Sequence, residues 1–381
     1  MQPVAETADI VIAGGGPVGS ALVLALRDAG LRTVLLEAQS VPSADRRPLA
    51  LSYGSRLVLE RLEVWSDLEA DATPIRLIHV SQRSGFGRLS MSADETGLPD
   101  LGYVVDYGRL ATLLAGAAAA SDASCRHGAQ VDSWQGGNPA LLQYRQAGEQ
   151  NELQARLVVI ADGGAVSDAG SEEYQQCAVT ARVVSERPHN NMAYERFTPQ
   201  GPLALLPDGE GWALVWTTTP QRAQHLCTAD AAEFLAQLQD EFGGRAGRFT
   251  AVSARTSHAL RRRRASAAAE HVVFIGNAAQ TLHPVAGQGF NLGLRDAWEL
   301  AEQIIQGGPE LLGSRAWLQA YQRRRSVDRG GGIGFTHGLV RLFSNDLPPL
   351  RLARGMGLAL LGSVPPLKNF LARRMTFGAR G

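Results

Sequence analysis

The apolar positions open with a strand, a helix and a second strand. Ile10, Val11 and Ile12 form a short unbroken apolar run that stops at glycines. From Val18 onward the spacing changes. Val18, Leu22, Ala25, Leu26 and Ala29 recur three and four residues apart, which predicts a helix over 18–29 with Gly30 just past its end. Thr33–Leu36 is a second apolar run, closed by Glu37. Two buried-type strands joined by a helix over so short a span make a βαβ unit, which implies a parallel sheet.

The middle of the chain follows a two-residue period instead. Residues 178–186 and 212–219 are rich in β-branched and aromatic side chains, and Trp212, Leu214 and Trp216 alternate onto one face. An antiparallel sheet suits this stretch better than further βαβ units. Buried-type strands return at Leu157–Ile160 and Val272–Ile275, and Phe290, Leu294, Ala297, Ala301 and Ile304 mark a helix over 290–305. The pattern predicts an α/β, Rossmann-like dinucleotide-binding domain, split in sequence, with an inserted, mainly antiparallel β-sheet domain. The divisions are 1–75, 97–172 and 268–330 for the first domain, 76–96 and 173–267 for the second, and 331–381 for a helical tail.

Composition excludes several classes. The 381 residues are 45% hydrophobic and 19% charged, with a mean hydropathy of −0.10, so the chain is neither disordered nor collagen-like. Its 37 basic and 37 acidic residues cancel, leaving no overall field to draw nucleic acid. No apolar run approaches the roughly 20 residues of a membrane span, and Met1–Ala8 lacks the features of a secretory signal, so a cytoplasmic protein is expected. Cys125, Cys177 and Cys227 are too widely spaced for a metal pair and odd in number for a disulfide framework.

Two glycine-rich segments carry the chemistry. In the first, Gly14-Gly15-Gly16-Pro17-Val18-Gly19, the spacing of Gly14, Gly16 and Gly19 suits a tight turn, a close approach to a pyrophosphate, and a helix pressed on its sheet. The helix start then turns its amides and positive dipole end toward the phosphates. Glu37, at the end of the next strand, is placed to accept ribose hydroxyls and repels a 2′-phosphate, which leaves FAD or NAD as the occupant. The second segment is GNAAQTLHPVAGQGFNLG at 276–293, between a strand and a helix.

This second segment resembles the single-component flavin-dependent aromatic hydroxylases, the group containing p-hydroxybenzoate hydroxylase. The form GNAAQTLHPxAGQGFNLG, with Asn277 and Gln280 where aspartate and histidine are usual, is similar to their ubiquinone-biosynthesis branch. RPLALSYG at 47–54, VIADG at 159–163, YQQCA at 174–178 and AYERFTPQGPLALLP at 193–207 extend the likeness from about residue 9 to 330. The resemblance implies FAD held by Gly14, Gly16, Pro17, Gly19, Glu37, Arg47, Asp162, Asn277, Gly289, Phe290 and Asn291. Pro284, Gly287 and Gln288 would shape the flavin-ring pocket, with no general base assigned. It further implies NAD(P)H as co-substrate, a flavin C4a-hydroperoxide as oxidant, and a hydrophobic polyprenyl-phenol as substrate, 2-polyprenyl-6-methoxyphenol hydroxylated para to its hydroxyl. Association with other ubiquinone-biosynthesis proteins belongs to the same expectation.

Other features admit two readings each. His283 suits a structural hydrogen bond in the flavin loop better than a general base. Tyr194, Glu195 and Arg196 suit either phenol orientation or an ordinary strand surface. Asp106 stands where the family carries Arg or Gln, so that contact is not transferred. Arg261–Arg264 reads as a solvated loop or as a contact for the nicotinamide cofactor's phosphates or anionic lipid. From 350 to 381 six basic residues and no acidic one are interleaved with apolar side chains. This tail reads as a helical pair packed on the flavin domain, as a peripheral contact with an anionic membrane at about 1 kcal/mol per charge, or both. The rival functions are a flavoenzyme of another reaction type, a prenyl reductase or halogenase, and a non-catalytic FAD-fold subunit.

Overall fold

A computed structural model describes residues 6–41, 45–164, 171–263, 269–281, 288–308, 310–343 and 348–378, the backbone alone at 171–173, 261–263, 288, 331–343 and 348–351. The first sheet is ordered Ser124–His127, Thr33–Glu37, Glu6–Ala13, Glu149–Ile160, Ala140–Gln146 and Ala129–Gln135. Val272–Phe274 pairs in parallel with the end of Glu149–Ile160. Its centre is parallel, as the βαβ pattern requires, and one edge is an antiparallel meander. Ile10 and Ile12 point into a core shared with Leu22, Leu294 and Leu300, whereas Val11 and Ala13 point into a second core with Val34, Leu142 and Phe274. Burial on both faces explains the unbroken apolar run.

The first helix is shorter than its apolar spacing predicts. It spans Pro17–Ala25, and the amide of Leu26 is shared between the carbonyls of Leu22 and Val23. The chain then turns over 26–29 to re-enter the sheet, and Leu26 stays buried in that turn, which is why the periodicity runs past the helix. Gly30 takes the left-handed conformation at φ +66° at the end of this turn rather than directly after the helix.

The second sheet is ordered Phe249–Val252, Ser171–Ser185, Gly211–Thr218, Gly201–Asp208, Met192–Thr198, Leu77–Gln82 and Arg88–Ser92, with Thr256–Arg263 also on Ser171–Ser185. All its pairings are antiparallel except Met192–Thr198 with Leu77–Gln82. Trp212, Leu214 and Trp216 share one face with Val179, Leu203 and Leu205, and the helices Pro220–Thr228 and Ala231–Phe242 cover it through Leu226, Phe234 and Leu238. Full burial of each such side chain stabilises the domain by about 1.5–3 kcal/mol. The other face is left for the site.

A three-stranded sheet of Pro48–Ser52, Gly102–Asp106 and Thr73–Ile75 is interleaved in sequence with strands of the other two. The last helices are Arg315–Phe343, Pro348–Ser363 and Pro365–Phe377, so one helix runs through residues 330 and 331 without a break. Pro365 and Pro366 open the final helix, where their fixed φ is already helical. Leu358 and Ala372 pack into a cluster with Leu89, Met91 and Phe197 of the second sheet. Among the described residues no helix is long and apolar enough to cross a membrane.

Candidate functional site

The first glycine turn separates what the protein needs from what a ligand needs. Gly14 sits at φ +110°, and a Cβ there would lie 2.6 Å from the backbone of Ala161 and Asp162, where two loops cross. A Cβ on Gly19 would lie 1.9 Å from the Gly14 carbonyl oxygen. Both glycines are therefore demanded by the fold itself. Gly16 is different. It is the N-cap of Pro17–Ala25, and a Cβ there would meet no protein atom within 4 Å. The space in front of it is cavity, and a side chain would fill the cradle that a pyrophosphate needs. Glu37 braces the turn, its Oε2 accepting from Gly15 N at 2.6 Å and its Oε1 from Gln39 N at 2.8 Å.

The second turn leans on the first. Gly276 adopts φ +59°, and Cβ atoms built on Gly276 and Gly293 would lie 3.3 and 3.0 Å from the Val18 side chain. The two far-separated motifs thus meet across the first helix and line one cavity of ≈ 1170 Å³. Asn277 is exposed along that cavity, and Gly289, like Gly16, has no protein atom within reach of a Cβ. Gln288 begins the helix Gln288–Gly307, and Phe290 lines the cavity. Pro284, Gly287 and His283 lie outside the described residues.

The remaining cofactor candidates divide. Arg47 lines the cavity with its guanidinium 4.4 Å from the centre of the Tyr107 ring and an ion pair to Asp45 at 3.3 Å. Burial pushes the Tyr107 hydroxyl pKa up, while Arg47 pulls it back. Asp162 also lines the cavity, and its Oδ1 accepts from Gly164 N at 2.8 Å in a tight turn. Asn291 does not reach the cavity wall in this way. It is buried, its Oδ1 accepts from Ser52 N at 2.8 Å and Ser55 Oγ at 2.7 Å, and its Nδ2 donates to Ala50 O at 2.9 Å. Its side chain ties the 47–54 segment to the helix Gln288–Gly307. Asp106 caps the helix Tyr107–Ala119 by accepting from Arg109 N at 3.0 Å, a structural role.

Sequence reasoning missed an ionic brace behind the second turn. Asp296 is fully buried, and its Oδ2 accepts from Gly276 N at 3.1 Å. Its Oδ1 accepts at 2.7 Å from Arg325, which is itself fully buried and also pairs with Glu299 at 2.7 Å. The pairing spans 29 residues, so no local pattern announces it. The acidic partners outweigh burial and raise the Arg325 pKa still further, keeping the cation charged.

Beyond the cradle the same cavity becomes apolar. Ile78, Met91, Phe197 and Leu206 line it from the second sheet, and Leu358 and Leu371 from the C-terminal helices. A hydrophobic molecule in this chamber adjoins whatever the cradle holds. The cradle's free space, its amide donors and the ribose-side carboxylate fit FAD, with Gly14, Gly16, Pro17, Glu37, Asp162, Asn277 and Gly289 as the residues that would hold it.

Comparison with known proteins agrees with this geometry. A family model described as an FAD binding domain matches residues 7–327. The chain is 33% identical to ubiquinone hydroxylase UbiL of Rhodospirillum rubrum over 97% of its own length and 89% of that protein. It is 32% identical to the 3-demethoxyubiquinol 3-hydroxylase of Escherichia coli, covering 93% of this chain and 94% of the other. The crystal structure of p-nitrophenol 4-monooxygenase PnpA from Pseudomonas putida superposes with a TM-score of 0.77 at 19% identity, covering 99% of this chain and 100% of that one. With two glycine turns lining one groove and a family match over most of its length, the chain belongs to the FAD-binding monooxygenases, alongside the ubiquinone hydroxylases.

Proposed function

We propose that the protein hydroxylates the ring of a polyprenyl-phenol in ubiquinone biosynthesis, 2-polyprenyl-6-methoxyphenol para to its hydroxyl, with NAD(P)H as reductant. The observation that carries this reading is the single cavity that joins a dinucleotide cradle to an apolar chamber. Bound FAD supplies the redox chemistry that activates molecular oxygen. The chain's own residues supply the rest. Gly16 and Gly289 leave room for the cofactor, and the brace of Asp296 and Arg325 holds the second turn. Ile78, Met91 and Phe197, with the C-terminal helices, bury the isoprenoid tail and exclude water from the reacting ring.

The C-terminal helices support peripheral contact with an anionic membrane surface. Leu358, Leu361 and Leu371 turn inward to the chamber, while Leu352, Met356, Leu360 and Phe370 are each more than half exposed. A segment with six basic and no acidic residues carries this apolar face. An isoprenoid substrate dissolved in a bilayer then has a short path to the chamber.

The test is turnover of the flavin-loaded protein with NAD(P)H, a short-chain prenylated methoxyphenol and isotopically labelled oxygen. The expected product carries one labelled oxygen atom on the ring. A reduced isoprenoid chain without label, or a product formed only with added halide, would replace this reading with a reductase or a halogenase. Purified protein that takes up no flavin would leave a scaffolding subunit.

A further inference from the structure

The strands Leu77–Gln82 and Arg88–Ser92 pair at one edge of the second sheet, and the turn joining them is constrained from several sides. Ser84 and Gly87 take positive φ, and the Gln82 side chain donates from Nε2 to the Phe86 carbonyl at 3.0 Å. The turn rests on the helix Pro348–Ser363. A Cβ on Gly87 would run into the Gly355 carbonyl, and one on Gly355 would lie 2.8 Å from the Phe86 ring. Two glycines thus bring turn and helix into backbone contact. Phe86 lies along the flank of the helix with 51% of its surface in solvent. A turn held in this way keeps the ring at the surface.

The helix beneath has two apolar sides. Leu358 and Leu361 face the chamber, beside Leu89 and Met91 from the second strand of the hairpin. Leu352, Met356 and Leu360 recur four residues apart on the opposite side, each more than half exposed. Gly355, which carries Phe86, lies three residues from Leu352, so the ring borders that stripe. On the last helix Leu367 and Phe370 are exposed, while Leu371 and Met375 face the chamber. Scattered exposed apolar residues are ordinary, whereas a continuous patch marks an interaction surface. This patch backs directly onto the chamber wall, one helix away, or about 10 Å.

The rim of the patch favours an anionic occupant. Arg88 and Arg373 are exposed beside it, and residues 350–381 include no carboxylate. Lys368 is already paired with Glu95 at 2.6 Å, and Arg354 is buried. A second copy docking by the same face would set these cations against their own kind. A bilayer bearing anionic headgroups offers an acyl layer to the apolar side chains and phosphates to the rim. We propose that the turn at 83–87 is a membrane-inserting element, with Phe86 entering the acyl boundary beside the outer stripe of Pro348–Ser363. This inference rests on the membrane contact of the C-terminal helices proposed above and adds an anchor from the substrate sheet. Anchors on a helix and a sheet turn together fix an orientation, with the chamber one helix from the bilayer.

The experiment measures sedimentation of the flavin-loaded protein with phosphatidylglycerol–phosphatidylcholine vesicles and with phosphatidylcholine vesicles, at low salt. It compares the wild type with Phe86→Ser, Phe86→Leu and Leu311→Ser, the last an equally exposed leucine far along the chain from the turn. The wild type is expected to prefer the anionic vesicles. Phe86→Ser lowers partitioning about tenfold, Phe86→Leu restores most of it, and Leu311→Ser leaves it unchanged. Hydrogen exchange on the wild type supplies a readout independent of any variant, since vesicles should slow exchange at 83–88. If Phe86→Ser binds as the wild type does and exchange at 83–88 is unaltered by vesicles, the turn is overturned as an anchor. Loss of binding in Phe370→Ser would then leave the helical contact intact. A Phe86→Ser change that splits a dimer and spares vesicle binding assigns the face to a second copy and overturns the proposal. A wild type that sediments with neither vesicle overturns the membrane reading itself.

Discussion

The two ends of the cavity are built by opposite means. The dinucleotide end is made of backbone: Gly14, Gly16, Gly19 and Gly276 bring amides and turns close together, and several of these positions tolerate no Cβ. The chamber end is made of side chains from two strand pairs and two helices, with Phe197, Leu206 and Leu371 each replaceable by another apolar residue of similar volume. A universal cofactor is thus held by geometry that cannot vary, and a particular substrate by surfaces that can. The contrast predicts where substitution breaks the molecule and where it only retunes it.

The largest effect is expected at the brace behind the second turn. Replacing Arg325 with Met leaves the Asp296 carboxylate buried without its strongest partner, and denaturant unfolding should show a loss of about 3–5 kcal/mol. The glycines of the first turn then divide. Gly19→Ala drives a Cβ into the Gly14 carbonyl and should destabilise the apoprotein by about 3 kcal/mol or more. At Gly16 a Cβ has no protein atom within 4 Å, so Gly16→Val should leave unfolding of the apoprotein close to that of the wild type while FAD affinity, measured by flavin fluorescence, falls about a hundredfold or more. A Gly16→Val protein with full flavin would remove the cradle from the account.

A smaller effect separates the two faces of the second sheet. His79 is buried on the side away from the chamber, near Arg245, and burial first, then that cation, lowers its pKa to about 4. The folded state therefore holds the neutral ring, and the unfolded chain binds a proton more readily below pH 6.5. Stability from this residue is complete above about pH 6.5 and is lost as pH falls toward 4, amounting to about 2 kcal/mol at pH 5. His79→Gln should flatten that part of the stability profile relative to the wild type. The mildest change is in the chamber. Leu361→Trp narrows the tail-binding end and should raise KM about tenfold for a long-chain prenylated phenol, with little change for a short one.

Legibility followed the range of the interactions. The Rossmann-like unit could be read because each decisive residue, Gly14 to Glu37, acts on a neighbour a turn or a strand away. The first helix was overread because Leu26 is buried whether it ends a helix or sits in the turn beyond it. The bracing role of Asn291 was not legible, because its partners at Ala50, Ser52 and Ser55 come from a segment some 240 residues earlier. Nothing local marks the partnership of Asp296 with Arg325, since each is an ordinary charged residue on an amphipathic helix until the two helices pack.

Periodicity alone established that Trp212, Leu214 and Trp216 share one face of a strand, and glycine spacing alone established a dinucleotide cradle, because backbone geometry obeys the same local rules in any fold. Which face of that strand meets the cavity was decided only by the helices Pro220–Thr228 and Ala231–Phe242 covering the other one. The same holds for the C-terminal segment, whose sequence is apolar and basic throughout but whose inward residues are chosen by contact with Leu89, Met91 and Phe197. Hydrophobic burial is non-directional, so a pattern can say that a side chain will be covered, and only the assembled layers say by what.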